Sequence, residues 1–255
     1  MIVPDWPAPP GVLSLLSLRE GGVSHPPYDS LNLGDHVGDD PAAVAENRRR
    51  FAATLGARPV FLKQVHGSRA AHLDRDSVDG LEADACWTNE PGVACTIMVA
   101  DCLPVLLADR EGRAVAAAHC GWRGLAGEGG RGVLEALWEA FWPQLAGTPA
   151  EAAARTLAWL GPCIGPGAFE VGAEVKAAFE SAAPGAATRF RAAPAGKWLA
   201  DLPGLARDRL RALDITRLHG NDGSADWCTV TQASRFFSHR RDRISGRFAA
   251  SIWLA

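Results

Sequence analysis

The chain has 255 residues, a formal net charge of −3 and 47% hydrophobic residues, enough to build a sizeable core in one large domain or two small ones. Its positive and negative residues are interspersed, which argues against the basic face of a nucleic-acid binder, and no apolar run is long enough to span a bilayer. Six cysteines scattered through a chain that needs no staples suit reduced thiols in a cytoplasm. The opening MIVPDWPAPPGV lacks a basic region followed by an apolar segment, so no secretory leader is expected.

Residues 13–18 (LSLLSL) predict a buried strand that ends at Gly21 and Gly22. The stretch SHPPYDSLNLGDHVGDD, residues 24–40, is rich in turn formers and reads as a long ordered loop carrying His25, Asn32 and His36. A helix follows: Asp40 can cap it, Pro41 takes its first position, Val44, Phe51 and Leu55 make an apolar stripe, and Gly56 ends it. Short apolar segments at 59–66, 70–73, 83–88, 93–99, 103–108 and 113–119 predict strands. Helical spacing recurs over 129–145, 170–181 and 202–213, with further strands near 156–161, 226–230 and 247–254. Strands clustered in runs, with helices grouped afterwards, predict an α+β class. No repeat or linker divides the chain, so residues 1–255 are expected to form a single domain.

Three separated fragments, KQVHGS, ADCLP and AHCGWRG, each offer one soft-metal ligand in a small-residue or glycine setting: His66, Cys102 and His119. Three protein ligands leave a zinc ion one open position, the arrangement of a catalytic site, and the chain lacks the paired CxxC motifs of a closed structural site. Segments 103–108 and 113–119 flank a turn-rich DREG sequence that predicts a hairpin. A loop centred on Arg110 and Glu111 would set Cys102 directly opposite His119, with Cβ atoms about 5 Å apart on one sheet face. A shift by one residue would put them on opposite faces. A bulge at Gly112 is an alternative, and Pro104 suggests that Cys102 lies just before the paired strand. Each of the three also has an ordinary reading, as a structural histidine or a buried cysteine.

Neighbouring residues add chemistry. Gln64, two residues before His66, is a candidate for a substrate hydrogen bond, against the commoner solvent-facing glutamine. Asp101 could accept a proton or anchor a histidine, against a plain turn carboxylate. Arg123 could pair with phosphate, against a surface salt bridge. Cys163, between glycines and prolines in GPCIG, reads as a packing residue in a tight turn more readily than as a nucleophile. In the run SHRRDRISGR the arginines at 240, 241, 243 and 247 fit either a solvated loop or an anion site.

At these fragments the sequence resembles the YfiH-type family, long labelled laccase-domain or polyphenol oxidoreductase proteins and more recently treated as purine nucleoside phosphorylases. REGGVS, PYDSLNLGDHVGDDP, LKQVHG, ADACWTN, VADCLPVLLAD, AAHCGWRGL, GPCIGPGAFEVGAEV, FFSHRRD and SGRFAASIW carry the likeness along nearly the whole chain. The resemblance implies a layered α/β/β/α sandwich with mixed sheets, related to a cysteine-hydrolase toxin fold. It implies one zinc ion on His66, Cys102 and His119; Asp101, from its place beside Cys102, is counted with them as a catalytic residue. It also implies phosphorolysis of adenosine, inosine and methylthioadenosine, with an accompanying adenosine deaminase activity. By motif, Asn32 and Gln64 are assigned to substrate contacts, and Arg19, Arg48 or Arg123 are candidates for bidentate phosphate contacts. The expected partners are purine nucleosides and phosphate, with no nucleic acid and no membrane, and the expected state is a cytoplasmic monomer. Cys120 stands where HAGWRG is usual, and strand alternation should point it away from His119. Rival readings are a copper polyphenol oxidase, an amidase editing peptidoglycan precursors with the same metal, and a zinc-stabilised binding module without turnover.

Overall fold

The structure is a computed structural model describing residues 1–255. In chain order, β1 (Val12–Leu16) leads to α1 (Pro41–Leu55), β2 (Arg58–Phe61), β3 (Ala70–His72), β4 (Ala85–Thr88), β5 (Val93–Val99), β6 (Leu103–Asp109) and β7 (Val115–Cys120). Helices α2 (Trp122–Ala126), α3 (Val133–Phe141) and α4 (Pro149–Arg155) precede β8 (Thr156–Leu160) and β9 (Glu170–Val171). The chain closes with α5 (Ala173–Glu180), β10 (Phe190–Ala192), β11 (Trp198–Ala200), α6 (Leu202–Ala212), β12 (Arg217–Gly220), α7 (His239–Asp242) and β13 (Phe248–Leu254).

Two mixed sheets form the centre, one ordered β1-β13-β5-β2 and the other β12-β8-β6-β7-β4-β3, and a small third sheet joins β10, β11 and β9. Alternation along β6 and β7 decides the layering. Leu106, Ala108, Val115 and Ala117 face the four-stranded sheet and pack with Cys95, Ile97, Phe248 and Ile252. Leu103, Val105, Leu107, Ala116 and Ala118 point the other way and meet Leu134, Leu137 and Phe141 of α3 and Leu205 of α6. On the outer face of the four-stranded sheet, Leu15, Ala94, Met98 and Ala249 receive Phe51 and Leu55 of α1. Burying each of those α1 side chains contributes about 1.5–3 kcal/mol. The result is the α/β/β/α sandwich of the α+β class. No helix is long and apolar enough to cross a membrane.

Helix α1 is built as its sequence requires: Asp40 accepts from the Ala42 amide at 3.0 Å, Pro41 needs no amide partner, and Gly56 takes φ 66° to close the end. Other elements differ. The helix expected over 129–145 is cut to 133–141, because Gly129 and Gly130 adopt positive φ before it and Pro143 turns the chain into a 3₁₀ segment after it. Residues 226–230 form no strand: Ala225–Trp227 is a 3₁₀ turn, and Cys228 makes only an isolated bridge to Cys163. Helix α4 was not foreseen, since PAEAAAR has no large apolar stripe; a capping box between Thr148 and Glu151 starts it.

The hairpin register is also corrected. His119 pairs with Pro104, and Leu103 with Cys120, so Cys102 does not lie opposite His119. Gly112 at φ 70° widens the loop by two residues over the expected turn. A two-residue shift keeps the side-chain faces, so Cys102 still shares a face with His119 from just beyond the ladder. Continued outward, the same register brings Cys102 opposite Gly121.

Candidate metal centre and its cleft

The three candidate ligands converge where the chain passes between the two sheets. His66 lies between β2 of the four-stranded sheet and β3 of the six-stranded one, and Cys102 between β5 and β6 makes the same crossing. His119 ends β7. Both crossings are sharp: His66 has φ 62° and Asp101 has φ 90°. Such values cost about 1–3 kcal/mol for a non-glycine residue and are held by surrounding contacts. One ligand atom from each of His66, Cys102 and His119 lies within 4.8 Å of the others. The Cys102 Sγ is 3.7 Å from the His66 Nε2, and the two imidazole rings meet edge-on at 4.7 Å between centroids.

Asp84, wholly buried, ties this arrangement together. It sits one residue before β4 and so faces His119 across the β4–β7 ladder. Its Oδ1 accepts from the His119 Nδ1 at 2.8 Å and from the His66 amide at 2.9 Å. Its Oδ2 accepts from the amides of Gly67 at 2.7 Å and Val65 at 3.1 Å. One carboxylate therefore fixes the backbone bend at His66 and the ring of His119. With Nδ1 engaged, the His119 Nε2 is left to act as a donor to a metal, the usual carboxylate–histidine arrangement around zinc. Sequence reasoning missed Asp84 as a site residue. ADACWTN was visible as a motif, but only the strand pairing reveals which carboxylate reaches a histidine.

The electrostatics of the metal-free protein follow from this packing. Burial pushes the Cys102 thiol up, but the charge of His119 and hydrogen bonds from both histidines pull it down to about 6. Burial opposes protonation of His119, yet the Cys102 charge and the Asp84 hydrogen bond raise it to about 9. Asp84 stays below the ordinary carboxylate range because His119 and the backbone amides outweigh its burial. The cluster thus holds a thiolate and an imidazolium near neutral pH, a donor set ready to exchange protons for a soft divalent cation.

Room for the cluster depends on Gly121. A Cβ there would lie 2.7 Å from the His66 Cδ2 and 3.1 Å from the Cys102 Sγ. The ligands open onto a cleft of about 430 Å³. Its lining mixes apolar side chains, Trp122, Ile164, Phe169 and Leu202, with the polar His36, His239, Arg240 and Arg247, and the Arg240 guanidinium lies over the Phe169 ring. A pocket of this size, apolar with a few convergent polar groups, suits a small organic ligand with an anionic or hydroxyl-bearing end.

The remaining expected residues are placed differently. Gln64 borders the cleft, but its amide is spent on β5: it donates to the Met98 carbonyl and accepts from the Met98 amide, both at 2.8 Å. It prolongs the β2–β5 pairing by side chain. The Asp101 oxygens accept from the Thr229 hydroxyl and the Arg240 amide, each at 2.6 Å, so it ties Thr229 to the first turn of α7, while Asp84 is the carboxylate on the histidine. Asn32 is buried and lies outside the cleft lining. Its Oδ1 accepts from the amides of Gly34 and Arg247, and its Nδ2 donates to Asp39. Arg48 is held by Asp35 at 3.2 Å and Asp79 at 3.5 Å, over the Phe61 ring, and is not among the residues lining the cleft. Arg19 pairs with Asp29. Arg123 stacks on Trp122 and faces a neighbouring depression that shares only His66 and Trp122 with the cleft. Cys120 points to the helical layer, and burial keeps the thiols of Cys120 and Cys163 well above their usual range. Of the C-terminal arginines, Arg240 and Arg247 reach the cleft.

Comparison with known proteins agrees with this architecture. The sequence model of the family described as "Multi-copper polyphenol oxidoreductase laccase" matches residues 14–255. The chain is 50% identical over 254 residues to the purine nucleoside phosphorylase PA4543 of Pseudomonas aeruginosa, covering 99% of this chain and 98% of that protein. It is 47% identical to the purine nucleoside phosphorylase YfiH of Escherichia coli, covering 100% and 98%. Among solved structures, NMB0706 of Neisseria meningitidis superposes with a TM-score of 0.89 at 44% identity, covering 99% and 98% of the two chains. YlmD of Geobacillus stearothermophilus superposes with a TM-score of 0.83 at 28% identity, covering 97% and 93%. With its sandwich, its three-donor cluster and its full-length matches, this chain belongs to the YfiH family of laccase-like proteins.

Proposed function

We propose that this chain is a zinc-dependent purine nucleoside phosphorylase. In this reading it converts adenosine, inosine and methylthioadenosine to the free base and ribose 1-phosphate, with an accompanying adenosine deaminase activity. The observation that carries the reading is the meeting of His66, Cys102 and His119 at a cleft lined by both apolar side chains and two arginines. The names of relatives half identical over the full length support the substrate class.

The donors fit one zinc ion: two imidazoles and a thiol within common reach, with Asp84 orienting His119 and Gly121 leaving space beside them. When bound, zinc supplies Lewis-acid chemistry, polarising an oxygen of phosphate, of water or of a substrate hydroxyl. The chain's own residues do the positioning. Phe169, Ile164 and Trp122 offer an apolar surface for a purine ring, and Arg240 and Arg247 offer cationic groups to an oxyanion. In phosphorolysis an oxygen of hydrogen phosphate bonds to the ribose C1′ as the C1′–N9 bond breaks. The bonding pair goes to N9, and the proton of hydrogen phosphate ends on the base. Holding both reactants in line is the main contribution such a cleft can make. In deamination water adds at C6 of adenosine and ammonia leaves.

The family's description favours a second reading, a copper oxidase. The chain has seven histidines, and one three-residue cluster is the candidate site. A multicopper centre requires more donors than this cluster provides, so a single-metal nucleoside enzyme is the better match. The test is product analysis with inosine and inorganic phosphate beside a metal determination. Phosphate-dependent release of hypoxanthine and ribose 1-phosphate, lost in Cys102→Ala with circular dichroism unchanged, is expected. Normal turnover in that variant, or stoichiometric copper with no nucleoside cleavage, would overturn the reading.

A further inference from the structure

Of the arginines considered for phosphate, Arg48 and Arg19 are already committed to carboxylates, and Arg123 lies outside the cleft. Arg240 also lines the cleft, but its guanidinium lies over the Phe169 ring, 5.7 Å from the centroid, and its Nη1 donates to the carbonyls of Ala168 and Glu170. Arg247 is half-buried in the cleft and, like Arg240, forms no ion pair and donates only through Nη1, in its case to the carbonyls of Ser245 and Gly246 at 2.9 and 3.0 Å, but it stacks on no aromatic ring. Its Nε and Nη2 have no protein acceptor. A guanidinium cannot shed its charge at ordinary pH, so a fork left unpaired in a half-buried cleft is complementary to an anion.

The rest of the molecule is organised to hold that fork still. The Arg247 amide donates to the buried Asn32 Oδ1 at 2.8 Å, and its carbonyl accepts from the Leu33 amide at 3.0 Å. Its stem lies against Gly34, where a Cβ would come within 2.7 Å of the Arg247 Cγ. Thus the LNLG segment, whose Asn32 does not touch the cleft, serves as the cradle of an arginine that does. Two bonds to backbone carbonyls and one to a buried amide leave little conformational entropy to lose on binding.

We propose that Arg247 is the phosphate-binding residue of the cleft, its Nε and Nη2 taking two oxygens of one phosphate while Asn32 and Gly34 hold its stem. The proposal rests on the phosphorylase reading above, and it assigns the phosphate to the Arg247 guanidinium and the purine to the apolar side chains of the lining. The test uses the full-length protein. In Arg247→Gln, the KM for phosphate in inosine phosphorolysis rises by about 30-fold or more while the KM for inosine moves by less than about threefold, and in Arg247→Lys, which keeps charge but loses the fork, the rise is about tenfold. An unchanged phosphate KM in the Gln variant sinks the proposal and leaves the phosphorylase reading intact. Absence of phosphate-dependent turnover in the wild-type protein sinks that reading instead. The anion site is then judged by calorimetric titration with inorganic phosphate, whose loss in Arg247→Gln supports it and whose retention refutes it. Should the variants unfold, phenylglyoxal labelling of the wild-type protein decides: phosphate must protect the peptide carrying Arg247, and equal labelling with and without phosphate overturns the proposal.

Discussion

Replacing Gly121 by alanine puts the geometry of the centre to a stringent test, because the substitution adds one methyl and nothing else. Gly121 has φ −69° and ψ 155°, which alanine adopts without strain. Any backbone effect is therefore a gain of about 0.4–1 kcal/mol from a stiffer unfolded chain. The new Cβ would stand 2.7 Å from the His66 Cδ2 and 3.1 Å from the Cys102 Sγ. Carbon atoms prefer about 3.5–4.0 Å, so the imidazole must move by about 1 Å. The His66 backbone cannot follow freely, since Asp84 holds the amides of residues 65, 66 and 67. Overpacking of this kind costs about 1–3 kcal/mol, leaving global stability lower by no more than about 2.6 kcal/mol. Metal sites tolerate about 0.2 Å in ligand distance, so the local consequence is larger: about 100-fold weaker metal binding and a comparable loss of turnover. Chelator competition would measure the first, inosine phosphorolysis the second, and a denaturant titration the fold. A Gly121→Ala protein that binds zinc within about twofold of wild type would refute the reasoning, because the closeness of the three donors would then be irrelevant to the metal.

Two further outcomes follow from the buried carboxylate and the thiol. Asp84→Asn replaces an acceptor of four hydrogen bonds by a group whose NH₂ faces donors, and it should cost about 3–5 kcal/mol in denaturant unfolding together with about 10–100-fold in metal affinity. A loss confined to metal affinity would show that the bend at His66 holds without the carboxylate. In metal-stripped protein, Cys102 has its pKa lowered to about 6, so its thiolate is fully formed above that pH and disappears as the pH falls through it. Iodoacetamide should therefore alkylate Cys102 at a rate that is flat from about pH 7 upward and drops about tenfold per unit below 6. A midpoint near that of a free thiol would show that His119 is not charged beside it.

Much of the fold was legible because its signals are local. The cap, proline and glycine of α1 define that helix without reference to anything distant, and the continuous apolar runs of β5 to β7 mark strands buried on both faces. The ligand triad was legible for another reason, since His, Cys and His beside glycines are chemically conspicuous. What stayed hidden is relational. Asp84 becomes a partner of His119 only through the β4–β7 ladder. Asn32, Gln64, Arg48 and Asp101 are polar residues in striking motifs, yet each spends its hydrogen bonds on the backbone or on other side chains of this chain. Arg247 stood in a run of arginines, and only the folded chain shows that it reaches the cleft with its stem cradled by Asn32 and Gly34. Hairpin register escaped by two residues because a single left-handed glycine changes loop length.

The crossings between β2 and β3 and between β5 and β6 have a mechanical consequence. His66 and Cys102 ride on peptides that each leave one layer and enter the other, whereas His119 belongs to a single layer. Sliding the layers past each other by even an ångström would pull the donors out of step, so their spacing works as a gauge of how the halves of the sandwich are seated. Neither half could assemble the centre alone, and a cation held by all three donors would act as a rivet through both.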